Sequence, residues 1–174
     1  MPGYDSSYMW KGIIPQAENP HMHNPVRGYV SSANQLSVDS SYPYYTGNDF
    51  PVYRGYVINR YLDEMSVVTI DDMKKMQTDN YNIKAEFARA ILLQTEEEAL
   101  SPDEKKYFDI YKSWNLYNDA GEKGATVFTV WWKELEKAVW SDELNKPGIP
   151  LPWPNESTLI ESLQKDPAYK FLDD

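Results

Sequence analysis

The 174-residue chain has no cysteine and only two histidines. A disulfide scaffold, a thiolate nucleophile and a cysteine-ligated zinc are therefore excluded. Positive charge is also short. Seventeen Lys and Arg face 27 Asp and Glu, for a formal net charge of −10. Nucleic-acid backbones and anionic membranes attract Lys/Arg-rich faces, so neither is the expected partner. No apolar run approaches the roughly 18 residues that a membrane span requires. The first residues, Met1 to Asp5, lack the basic and apolar regions of a signal peptide. Aliphatic core formers are scarce as well, and the hydrophobic share reaches 41% only with 14 Tyr counted. Large amphipathic rings suit surfaces that meet other surfaces, so the composition points to a piece of something larger.

Pro and Gly punctuate residues 1–50 too often for a long helix. Two short runs between these breakers read as strands, Trp10 to Ile14 and Gly28 to Ala33, with turn chemistry at Asn24-Pro25 and Arg27-Gly28. Residues 51–146 read as helical. Tyr53, Val57, Tyr61 and Met65 recur at spacing four, with Ile58 and Leu62 beside them. Thr69 followed by Asp72 predicts a helix start, and a further helix is expected from about Ile83 to Thr95. Ser101-Pro102-Asp103-Glu104 combines a cap, an N1 proline and a box-closing acid. Tyr107, Ile110, Tyr111, Trp114 and Tyr117 then form an expected buried stripe, which Gly121 and Gly124 break. Phe128, Trp131, Trp132, Leu135 and Val139 mark a helix ending near Leu144. Residues 147–154 are a Pro-rich linker, and a short helical tail follows Asn155. The expected fold is α+β and mainly helical: a short β-ribbon, then five to six α-helices, in one partial domain over residues 1–174.

Most chemical motifs are weak. His21 and His23 supply at most two zinc ligands, so surface or packing roles are favoured. Asn155-Glu156-Ser157 matches a glycosylation acceptor, but a helix cap accounts for it better. Ser6, Ser7, Ser40 and Ser41 have no nucleophile elbow around them. Asn34 is more informative. A side-chain amide on a rigid support is a neutral donor suited to an oxyanion. Arg54 lies twenty residues on, and its guanidinium is able to hold a carboxylate or the Asn carbonyl oxygen. Taken on the residues alone, a turn Asn and a surface Arg remain the more ordinary reading.

Several stretches occur together in a recognisable order. They are Pro2-Gly3-Tyr4-Asp5 with Trp10-Lys11-Gly12, then Asn24-Pro25 with Gly28 through Gln35, then Tyr42-Pro43-Tyr44-Tyr45. Arg54, Ile58 and Leu62 follow, then Ser66-Val67 through Asp79, and finally Trp114-Asn115 with Ala125 to Trp132. In this order they resemble the penicillin acylase (penicillin amidase) family of N-terminal nucleophile hydrolases, which includes acyl-homoserine lactone and cephalosporin acylases. The resemblance spans nearly the whole chain and corresponds to a middle part of the family's β subunit.

It implies a segment of an αββα fold and an amide hydrolase acting on an N-acyl compound, a β-lactam side chain or an acyl-homoserine lactone. It places Asn34 on the oxyanion-hole asparagine and Arg54 on the arginine that orients the site. The family's nucleophile, a serine at the mature N-terminus of that subunit, lies before the matched region. The chain alone is therefore expected to be inert, with the remainder of the parent acylase as its partner. No cofactor is implied. A structural calcium in the parent remains open, because the run Tyr45 to Asp49 departs from the family spacing where an acidic ligand is expected. Periplasmic or secreted location is implied by the family only. An isolated piece is expected to self-associate through its Tyr and Trp surfaces. The competing reading is a stand-alone, acidic, aromatic-rich module that binds saccharide or protein.

Overall fold

The computed structural model describes residues 3–44, 46, 51–144, 151–166, 169 and 171, apart from the Glu143 side chain. Six α-helices carry the described fold: α1 Tyr53–Glu64, α2 Ile70–Thr78, α3 Ile83–Leu92, α4 Pro102–Ser113, α5 Lys123–Leu144 and α6 Glu156–Lys165. Their starts follow local chemistry. Thr69 and Asp72 close a capping box on α2, and Ser101 and Glu104 close one on α4 behind Pro102 at the first turn. The Asn82 and Asn155 side chains accept from the backbone N–H groups of Ala85 and Ser157, capping α3 and α6. The Asn155 motif is thus used as a cap.

The core is aromatic. α4 packs against α5, α3 against α6, and α1 against α3. Tyr111, Trp114, Phe128 and Trp132 are buried and in ring contact, with Tyr111 stacked on Phe128 at 6.1 Å. Lys84 reaches over the Trp132 ring at 4.9 Å and pairs with Glu156 at 2.7 Å, tying α3 to α6 above the indole. Arg89 of α3 donates to the carbonyls of Lys112 and Trp114, satisfying acceptors left open where α4 ends. No described helix is long and apolar enough to cross a membrane.

Three expectations need correction. The β-ribbon does not form among the described residues. Residues 10–14 and 28–33 have no strand assignment, and the one bridge among the described residues pairs Tyr81 with Tyr117. A ladder requires a neighbouring strand. Residues 27–35 are held by side chains reaching to α1 instead.

The α4 stripe is also shifted. Phe108 and Tyr111 face the core, whereas Tyr107 is 53% exposed. α4 stops at Ser113; Trp114, just beyond it, is buried as expected, whereas Tyr117 is exposed.

Gly124, read as a breaker, lies in the first turn of α5. A Cβ there would overlap the Trp114 side chain at Cβ and Cγ and lie 2.8 Å from Cδ2. The glycine is required by close packing. Gly124→Ala should therefore destabilise the chain by about 1–3 kcal/mol through overpacking, despite the roughly 1 kcal/mol by which Ala is the better helix former. Thermal unfolding of the 174-residue chain measures the sign, and an unchanged or raised Tm contradicts the assignment. Of the linker, residues 147–150 lie outside the described residues, as do residues 167, 168, 170 and 172–174 of the tail.

Candidate functional site

The segment 24–35 crosses α1 and ends in a turn. Pro25 accepts from the Gly28 N–H at 2.9 Å, and Gly28 takes a φ of 78° that suits glycine. Beyond it the chain runs without regular structure to a bend at Ala33, whose side chain is buried. Asn34 then adopts a φ of 56°. Asn is among the few L-residues that visit this left-handed region readily. The turn therefore carries Asn34 out to an exposed position while Ala33 anchors it from beneath.

Helix α1 receives this turn. A Cβ on Gly55 would lie 2.8 Å from Gln35 Oε1 and 3.2 Å from the Ala33 carbonyl oxygen. The missing side chain lets the turn rest on the helix backbone. Arg54, the preceding residue, donates from Nη1 to Asn34 Oδ1 at 2.9 Å. The two residues singled out in the sequence are therefore in direct contact.

The direction of that contact has a chemical consequence. A guanidinium has donors only, so it meets the carboxamide through the oxygen. The Asn34 NH2 faces the other way and has no hydrogen-bond partner among the described residues. A cation on the oxygen also polarises the amide and strengthens its N–H groups as donors.

A second set of contacts, absent from the sequence reading, holds the segment. Ser31 Oγ donates to Asn59 Oδ1 at 2.6 Å, and Arg27 Nη1 reaches the same oxygen at 3.3 Å. Asn59 Nδ2 points to Gln35 Oε1 at 3.4 Å, and Gln35 Nε2 donates to the Ser31 carbonyl at 3.0 Å. The Tyr29 hydroxyl lies 2.6 Å from Asp63 Oδ1 and 3.2 Å from the Asn59 carbonyl oxygen. The hydrogen bond to the Asp63 carboxylate, with burial adding to it, pushes the Tyr29 phenol above its ordinary range. One signal for this surface was present: an isolated Gly55 inside a helical pattern, which marks close approach. Asn59 had no such mark.

Other candidates fall elsewhere. The His21 ring meets the Asn19 carbonyl at 3.0 Å, and no group of three His, Asp or Glu able to hold a metal occurs among the described residues. Between Asn34 and Arg54 the acids are Asp39, which accepts from Ser41, and Asp49, which lies outside the described residues.

A family model described as Penicillin amidase matches residues 1–174. The chain belongs to the penicillin amidase family. Penicillin acylase 2 proenzyme of Pseudomonas sp. (strain SE83) is 25% identical over 140 residues, which are 80% of this chain and 18% of that protein. The chain thus spans less than a fifth of this penicillin acylase relative. No solved structure matches the chain. The alternative of a stand-alone aromatic binding module is not favoured. Trp114, Trp132 and Trp140 are buried in the helical core of this family member, although Trp10 is 98% exposed.

Proposed function

We propose that this chain is a segment of a penicillin-acylase-like amide hydrolase and supplies one donor of its oxyanion hole, the Asn34 carboxamide. The observation that carries the reading is the 2.9 Å bond from Arg54 to Asn34 Oδ1, which leaves the NH2 turned outward and unpaired among the described residues. Hydrolysis of an N-acyl amide passes through a tetrahedral intermediate with charge on the former carbonyl oxygen. A preorganised neutral donor aimed at that oxygen lowers the barrier, because it need not reorient as charge develops. Arg54 acts behind it by fixing which end of the amide points outward. In the complete protein, residues 10–14 and 28–33 join or flank the large sheet of an αββα fold. The nucleophile, a serine freed by processing, comes from elsewhere in the same protein. It adds to the acyl carbon, the C–N bond breaks, the amine departs with a proton, and water releases the acid.

The test is expression of the whole natural gene product with intact mass measurement and assay on an N-acyl chromogenic amide. Two subunits, the heavier beginning with Ser, and amide turnover are expected. A single uncleaved, inactive polypeptide rejects the reading. The isolated 174-residue chain is expected to be inert, since it lacks that nucleophile. It is also expected to self-associate through exposed Tyr4, Tyr8, Met9, Trp10 and Ile13. Turnover above an Asn34→Ala control contradicts the first expectation, and light scattering that reads a monomer at every concentration contradicts the second.

A further inference from the structure

We propose that Asn59 is a positioning residue for the Asn34 donor, acting through the turn that carries it; this inference rests on the oxyanion reading of Asn34. Asn34 is exposed and sits on a turn that no strand ladder supports among the described residues. Arg54 fixes the rotation of its amide, but the place of the turn itself is decided by what holds Ser31 to Gln35.

Gly55 and Asn59 are four residues apart on α1, so they share one face of the helix. That face is the one the turn meets. Gly55 supplies the floor under Ala33 and Gln35. Asn59 supplies the clamp. Its side-chain oxygen Oδ1 accepts from Ser31 Oγ at 2.6 Å, and its NH2 points to Gln35 Oε1 at 3.4 Å. One side chain thus engages the residues at both ends of the five-residue stretch with Asn34 inside it. Gln35 closes the same stretch onto itself through the Ser31 carbonyl. Asn59 and Arg54 stand on one helix, so they move together, and the clamp keeps the Asn34 carboxamide in register with the guanidinium. If Ser31 to Gln35 drifts along α1, Asn34 Oδ1 leaves Arg54 and the NH2 loses its direction. A misplacement of about 1 Å in a catalytic group costs up to about 100-fold in rate. Burial of the ground-state substrate needs no such register, so the loss falls on kcat.

The experiment is a double-mutant cycle in the complete, processed natural enzyme, read as kcat and KM on an N-acyl chromogenic amide. Asn59→Ala is expected to lower kcat about 10- to 100-fold, with KM within about twofold. In an Asn34→Ala background the same change is expected to move kcat less than about twofold, because the donor it serves is already gone. An equal effect of Asn59→Ala in both backgrounds overturns the proposal, since general support of the fold adds independently. So does a KM rise with kcat unchanged. If Asn34→Ala itself leaves kcat intact, the oxyanion reading fails, and the positioning role fails with it. If Asn59→Ala does not give processed enzyme, Ser31→Ala removes the 2.6 Å hydroxyl bond alone. It is expected to show a smaller kcat loss with the same non-additivity, and a null or additive result there also overturns the proposal.

Discussion

Asn34→Ala in the complete enzyme should lower kcat about 100- to 1,000-fold, corresponding to about 2.7–4 kcal/mol for one lost oxyanion donor. KM should change little, because the amide meets the intermediate better than the substrate carbonyl. A turn residue with a φ of 56° has a second reason to resist substitution. Ala at that φ carries strain of order 1 kcal/mol or more. Asn34→Gly separates the two, since glycine accepts the backbone and removes the amide. Equal kcat losses in the Ala and Gly variants are expected from a chemical role. Recovery of turnover in Asn34→Gly means that only the backbone mattered, and ends the proposal for Asn34.

The largest stability effect is expected at Trp132. It is 1% exposed and the largest fully buried side chain among the described residues. Phe128 lies 6.1 Å from it on one side and the Lys84 ammonium 4.9 Å from the ring on another. Trp132→Ala removes the most apolar volume a single change can remove and leaves a cavity between α3, α5 and α6. The expected loss is about 3–5 kcal/mol. Whole domains are stable by only about 5–15 kcal/mol, so the variant should populate unfolded chain under mild denaturant. Urea unfolding of the 174-residue chain, native against variant, measures this. A loss below about 1 kcal/mol means that Trp132 is not the keystone described here. Trp132→Phe, which keeps a ring, should lose distinctly less.

The helices were legible wherever their signal was local. A cap and its box acid are separated by three residues, so Thr69 with Asp72 and Ser101 with Glu104 announce their helices without help from the rest of the chain. The same holds for Asn155 at α6. The strands were not legible because a strand is half of a pair. Val30 and its neighbours favour extended backbone, but no partner strand lies beside them among the described residues. Tyr107 and Phe108 show a finer failure. Both are aromatic, and only the docking of α4 on α5 chose which faces the core. Gly124 shows the same limit, since a glycine needed for close approach by Trp114 reads in one dimension like a helix breaker.

The candidate site divides along that line. The residue types and order of Gly28 through Asn34 and Arg54 could be read in the sequence, because an amide and a guanidinium have only certain uses and their order is a linear property. Their 2.9 Å contact, the outward turn of the amide and the clamp at Asn59 came only with the fold. Each depends on how residues twenty or more positions apart are laid across one helix, and chain order does not encode that spacing. By itself the sequence determined the chemistry available to this protein and where its helices begin. Tertiary structure alone decided which donors are directed and which rings are buried, because direction and burial are properties of neighbours brought together by packing.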